Sequence, residues 1–493
     1  MKANPLIKYI LILLILPVYI FAGSVITVTK TDHQILYYAF NQDFDKGEKL
    51  INEMIDKYPD IPKYYFFKII TATFRIQAEA EDMDFEKRKE FRDKENEALS
   101  KYTEDTINRF KGITPTPENK YYLAYLYGYL GRMKGENGSY LAAFNNGKKS
   151  KGMLEELVRD NPDFYDAYLL LGMFEYYADR LGGVTEFVAG ILGFSGSRNT
   201  GMKYMKLAYE KGDLAKPFAE FILGETYLFQ ESNPFTARYY FKKLVEKYPG
   251  NSSFYDWYVK ILMDLHMYNE AEQAILSDAS DFVSGYTKGS FYFEIGEYGT
   301  AHKIFEDVIK NKNAKWRSTY EHSKVLNAYC LMFMNKNVDV EKLGLDFYNK
   351  DQEKEWKEEL RTTQKNIADA KKLQAFAEKV NTADTSGEEI NTGSEIYPGI
   401  NTMIASGYMY YSGVYFFKKQ DYKKAENYFL NVADYGKRYS DRAAEFLIEI
   451  YRKTGAAKNQ LDKLDDIVDD LNKDDLKFSF MGLKNNLTNK HTN

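Results

Sequence analysis

The chain has 493 residues, 67 basic against 72 acidic, a net charge of −5, and 44% apolar residues that include 43 tyrosines and 33 phenylalanines. That content excludes wholesale disorder, and the near-even charge excludes the basic excess of a nucleic-acid binder. The single cysteine, Cys330, excludes an internal disulfide framework and a cysteine zinc site; within the apolar run 328–333 it reads as a packed, inert thiol.

Residues 1–24 read as a signal peptide. Lys2 and Lys8 open it, Tyr9 to Phe21 is a 13-residue apolar run, and Ala22-Gly23-Ser24 supplies small residues for cleavage. The run is short for a bilayer span, so a periplasmic or secreted protein is predicted. The competing reading is an uncleaved segment that ties the chain to the envelope or membrane. No cysteine follows the run, which argues against a lipoprotein anchor.

Residues 25–115 are predicted as helical hairpins with a degenerate repeat. Tyr37-Tyr38 fall in a first helix, Gly47, Ile51 and Met54 in a second, and Tyr58-Pro59 at its exit. From Glu79 to Lys101 the charge is so dense that a long helix solvated on most faces is expected. Pro115 and Pro117 break the chain.

Residues 116–350 are predicted as a repeat array. Lys120–Arg132 and Tyr140–Arg159 pair first, with Gly128 and Gly131 permitting close approach. Asp163–Asp179 follows, with Leu171-Gly172 at its crossing. The insertion 180–201 carries six glycines. Without GxxxxGK[ST] or a preceding strand, a phosphate loop is disfavoured against a short helix, Thr185–Leu192, and Arg198 reads as structural. From Pro217 to Pro249 the order Leu223-Gly224, Tyr227, Ala237, Phe241, Pro249 is that of a tetratricopeptide (TPR) repeat. Gly224 and Ala237 are small where two antiparallel helices cross, Tyr227 and Phe241 fill the space beside them, and Pro249 stops the second helix.

One such hairpin cannot bury its own apolar face and needs stacked neighbours. The series supplies them: Ala271 lies 34 residues after Ala237, and Gly289 to Ala301 and Gly413 to Ala425 each span 12. The predicted fold is all-α, a TPR-like right-handed superhelical solenoid of antiparallel helix hairpins. Residues 351–395 read as an amphipathic helix to Val380 and a polar linker, 396–482 as a final repeat with closing helices, and 483–493 as a disordered tail.

Leu-Gly-x-Phe-x-Tyr-Tyr at 171–177, Ile-Leu-Gly-Phe-Ser-Gly-Ser-Arg at 191–198 and Gly201-Met202 resemble the tetratricopeptide-39 and inclusion-body clearance family of outer-membrane TPR proteins and its bacterial relatives. The likeness covers about residues 163–250, with Met202 where that family usually has leucine. It implies an all-helical TPR protein with adaptor-like roles and brings no catalytic residue.

No HExxH, GxSxG, kinase or dinucleotide fingerprint occurs, so no catalytic residue, metal or cofactor is expected. Carboxylates such as Glu225 and Asp465-Asp466 read as surface. The predicted function is a non-catalytic scaffold that binds a protein or peptide partner on its concave first-helix face. Register places there Phe221, Glu225, Leu228 and Phe229; Asp256, Lys260 and Met263; Tyr286, Ser290 and Phe293; and Tyr410, Val414 and Phe417. Aromatics with a few charges suit an extended peptide or a helix. The competing expectation is that residues 356–380 cover part of that face. The alternative function is binding of a small apolar or lipid ligand beside the insertion, near Phe187, Ile191 and Phe194.

Overall fold

A computed structural model describes residues 27–83, 87–179, 196–277, 280–312, 317–347, 349–382, 400–435, 439–471 and 473–490. Among the described residues the regular structure is helical, without a strand. In chain order the helices are α1 (Lys30–Phe40), α2 (Phe44–Lys57), α3 (Pro62–Asp82), α4 (Arg88–Phe110), α5 (Pro117–Glu136), α6 (Tyr140–Asp160), α7 (Ala167–Asp179), α8 (Arg198–Lys211), α9 (Ala215–Glu225), α10 (Pro234–Lys247) and α11 (Ser252–Asp264). Then come α12 (Tyr268–Leu276), α13 (Gly285–Glu294), α14 (Tyr298–Asn311), α15 (Arg317–Phe333), α16 (Lys350–Lys365), α17 (Ile367–Thr382), α18 (Thr402–Lys418), α19 (Tyr422–Tyr435), α20 (Ser440–Thr454), α21 (Lys458–Leu471) and α22 (Asp474–Lys490). The predicted signal segment, residues 180–195 of the insertion with Phe187, Ile191 and Phe194, and residues 383–395 of the predicted linker lie outside the described residues. No described helix is long and apolar enough to cross a membrane.

The chain divides into two compact units: residues up to Gln34 with Met54–Phe66 and Tyr102–Lys216, and Ile35–Glu53 with Phe67–Lys101 and Pro217–Asn493. In the first unit α5 packs on α6 and α7 on α8. The α7–α8 crossing rests on Gly172 and Gly201. A Cβ on Gly201 would lie 2.6 Å from the Tyr176 nitrogen, and one on Gly172 2.8 Å from the Gly201 carbonyl oxygen. Only glycine lets these backbones approach so closely. Ser197 caps α8 through the Thr200 N–H at 3.3 Å.

In the second unit α13 packs on α14 and α18 on α19. Each pair sets a first-helix glycine against a second-helix phenylalanine: a Cβ on Gly289 would meet Phe305 at 2.6 Å, and one on Gly413 would meet Phe429 at 2.7 Å. The α9–α10 pair repeats this less tightly, Gly224 to Phe241 at 3.1 Å.

Buried carboxylates pin the connecting segments. Asp166 accepts the Asp213 and Ala215 N–H groups at 3.0 and 2.6 Å. Asp256 accepts from Ser284 N–H at 3.0 Å, and Glu321 from Asp346 N–H at 2.9 Å. Asp166, just before α7, and Asp256 and Glu321, on α11 and α15, thereby satisfy backbone donors 25 to 49 residues onward.

The turns between paired helices share one closure. Gln42, Gly138, His266, Gly296 and Gln420 have left-handed backbones with φ of 63°, 75°, 56°, 82° and 61°. Five residues after each stands a small one: Gly47, Ala143, Ala271, Ala301 or Ala425. The residue after each left-handed position donates five residues back, as in Met267 N–H to Leu262 O and Glu297 N–H to Tyr292 O, both 2.8 Å. This is the Schellman closure of a helix C-terminus.

Three expectations are corrected. The helix expected across 351–380 is two, α16 and α17, parted at Asn366, whose side-chain amide donates to the Thr362 carbonyl at 2.8 Å. The charged stretch 79–101 is divided between α3 and α4, and α4 buries Leu99, Ile107 and Phe110. The tail expected to be disordered from Leu483 is helical to Lys490, because Leu476, Phe480 and Leu483 form a buried helical stripe in the core of α20 and α21.

Candidate functional site

One turn departs from the shared closure. From Gly224 to Ala237 is 13 residues, where Val259 to Ala271, Gly289 to Ala301 and Gly413 to Ala425 each span 12. The extra residue is absorbed in a π-helical turn, Thr226–Gln230, directly after Glu225. Ser232 is left-handed there, φ 39°, and Asn233 N–H donates to Tyr227 O at 2.8 Å, six residues back. One added residue rotates the downstream side chains by about 100° around the helix axis. Single π turns recur at functional positions.

The rotation leaves Phe229 40% exposed, its ring edge-on to Trp257 at 4.7 Å. The Lys260 ammonium lies 4.7 Å from the Trp257 ring centroid and 5.8 Å from that of Tyr286. It also pairs at 3.0 Å with Asp256, whose other oxygen holds Ser284. Four residues before Phe229, burial pushes the Glu225 carboxyl up to about 7, with the nearby charge of Glu81 adding to the shift. Glu81, on α3, accepts from the Ser253 hydroxyl at 2.7 Å. Its own carbonyl and that of Met83 take the Arg88 guanidinium at 2.8 and 2.9 Å.

Of the predicted face, the structure links Phe229, Lys260 and Tyr286 through Trp257 and the Lys260 ammonium, while Glu225 faces the charge of Glu81. Phe221, Leu228 and Met263 are half-buried in the core of α10 and α11, Phe221 lying 5.4 Å from Phe254. Ser290 spends its hydroxyl on the Tyr286 carbonyl at 2.8 Å. Four predicted positions present no surface: Asp256 is fully buried, and Phe293, Tyr410 and Val414 are core residues. Phe293 packs with Tyr298, Tyr329 and Phe333. Tyr410 stacks on Tyr439 at 4.9 Å and donates its hydroxyl to His266 Nε2 at 3.0 Å. Phe417 is half-buried against Phe446 at 4.9 Å. Part of the self-covering comes from α17, whose Gln374 amide donates to the Phe293 carbonyl at 3.4 Å.

Trp257, Ser253 and Glu81 were not among the predicted residues. Trp257 falls two positions before the aligned Val259, off the face that an unbroken α-helix would present. Glu81 sat in a stretch whose charge density reads as solvated.

His266 Nδ1 donates to Asn381 Oδ1 at 2.7 Å, and burial holds its imidazole down to about 3, so the ring is neutral. Burial pushes the Cys330 thiol up to about 12, which fits the inert reading. Among the described residues no cluster of metal-ligating side chains occurs. No protein-family model matches the chain, and no curated protein matches it.

Proposed function

We propose that the chain is an exported TPR solenoid that acts as a non-catalytic scaffold for a protein or peptide partner. The observation that carries this reading is the π turn, which holds a large aromatic ring open to solvent beside Trp257. The repeat order from Leu223 to Pro249 and the glycine–phenylalanine contacts of three helix pairs support the TPR assignment. Phe229 and Trp257 supply apolar area of the kind that dominates interface energetics. Glu225 and Glu81 make a neighbouring arginine or lysine the fitting charged element, so the partner is an extended peptide or helix that carries an apolar anchor next to a basic residue.

The test is a photo-crosslinking amino acid at position 229 of the full chain, irradiated in its native envelope and analysed by mass spectrometry. A recurrent partner peptide, lost with Glu225→Arg, supports the reading. Crosslinks only within the chain itself would remove it.

A further inference from the structure

The first unit holds a cleft of 490 Å³ that the scaffold reading does not use. Small-molecule sites run from about 300 to 1,000 Å³. Tyr58 and Tyr64 form one wall, their rings stacked at 6.0 Å, and Glu118 and Asn119 of the first turn of α5 form another. Lys63, 4% exposed, donates to Asp32 at 2.9 Å and to the Thr27 carbonyl at 2.8 Å, and lies 3.8 Å from Glu118. Tyr122 also lines the cleft. It is fully buried, and its hydroxyl has no hydrogen-bond partner. A buried hydroxyl without an acceptor is uncommon and calls for one.

We infer that this cleft binds a small neutral polyhydroxylated ligand, a mono- or disaccharide. The chemistry excludes the other classes in turn. The charges around the cleft are mixed, Lys57 and Lys63 against Glu118 and the buried Asp32 that pairs with Lys63, which favours a neutral ligand over an anion. Quaternary cations would need tyrosine faces that already carry the Lys57 and Lys63 ammoniums, at 5.1 and 5.5 Å. Apolar ligands would strand Lys63, Glu118 and Asn119. A sugar offers an acceptor to the Tyr122 hydroxyl and donors to Glu118, and brings no charge against either the ammoniums or the carboxylates.

The test is saturation-transfer NMR on the full chain with maltose, cellobiose, chitobiose and glucose, and with choline and acetate as counter-probes, followed by calorimetric titration. Transfer to at least one sugar, with affinity lowered tenfold or more by Tyr122→Phe at an unchanged melting temperature, is the expected result. Glu118→Gln gives a second reading should the tyrosine variant fold poorly. Transfer to no sugar at millimolar concentration, transfer to choline or acetate alone, or sugar binding indifferent to both variants would overturn the inference.

Discussion

Single atoms decide the closest contacts in this chain. At Gly201 a methyl group would stand 2.6 Å from the Tyr176 nitrogen and 2.7 Å from the Gly172 oxygen, both backbone atoms that cannot swing aside. Gly201→Ala should therefore destabilise by about 1–3 kcal/mol through overpacking, read as a drop in urea midpoint. At Gly112 nothing lies within 4 Å. Gly112→Ala serves as the control and should leave the midpoint almost unmoved.

At the scale of elements, the π turn and α22 make separate predictions. Deleting Gln230 restores the 12-residue spacing and lets the turn close as ordinary α-helix, so Phe229 rotates off Trp257. Trp257 emission should shift to the red while far-UV circular dichroism is retained; a spectrum unchanged in both would mean that the added residue does not aim Phe229. Ending the chain after Lys473 strips Leu476, Phe480 and Leu483 from the core that they share with α20. A loss on the order of 2–5 kcal/mol or more is expected, as for removing large buried side chains, and thermal unfolding would measure it.

Over the whole molecule, the buried His266 and the half-buried Glu225 give pH dependences of opposite sign. His266 takes a proton near 6.5 when unfolded but only near 3 when folded. The unfolded state therefore holds more protons between those values, and stability falls as pH drops below 6.5, by up to about 1.4 kcal/mol per pH unit. Glu225 runs the other way, from 4.5 up to about 7. Its penalty is absent below 4.5, grows as pH rises and is complete above 7. Glu225→Gln should stabilise by on the order of 1–3 kcal/mol at pH 8 and by little at pH 4.5, leaving the His266 slope exposed. Denaturant curves at pH 5, 6 and 8 would show it; equal gains at all three would rule out Glu225 as the source.

The same scale shows what was legible beforehand. Helices and their pairing followed from apolar spacing and small residues, since both act locally. The burial of Tyr410 did not, because His266, 144 residues away in the sequence, hydrogen-bonds to its hydroxyl. The break at Asn366 carries no proline or glycine to announce it. The α22 stripe was written in Leu476, Phe480 and Leu483, but the expectation that termini fray outweighed it. The π turn was visible as one residue too many, in a spacing whose meaning needs the backbone to interpret.

That one residue is a ruler for heredity. From Gly224 to Ala237 is 13 positions where the other three pairs count 12, a difference of one codon. Any descendant or ancestor of this gene can thus be sorted by counting. Thirteen positions go with the π turn and an exposed Phe229, and twelve with the plain helix pair.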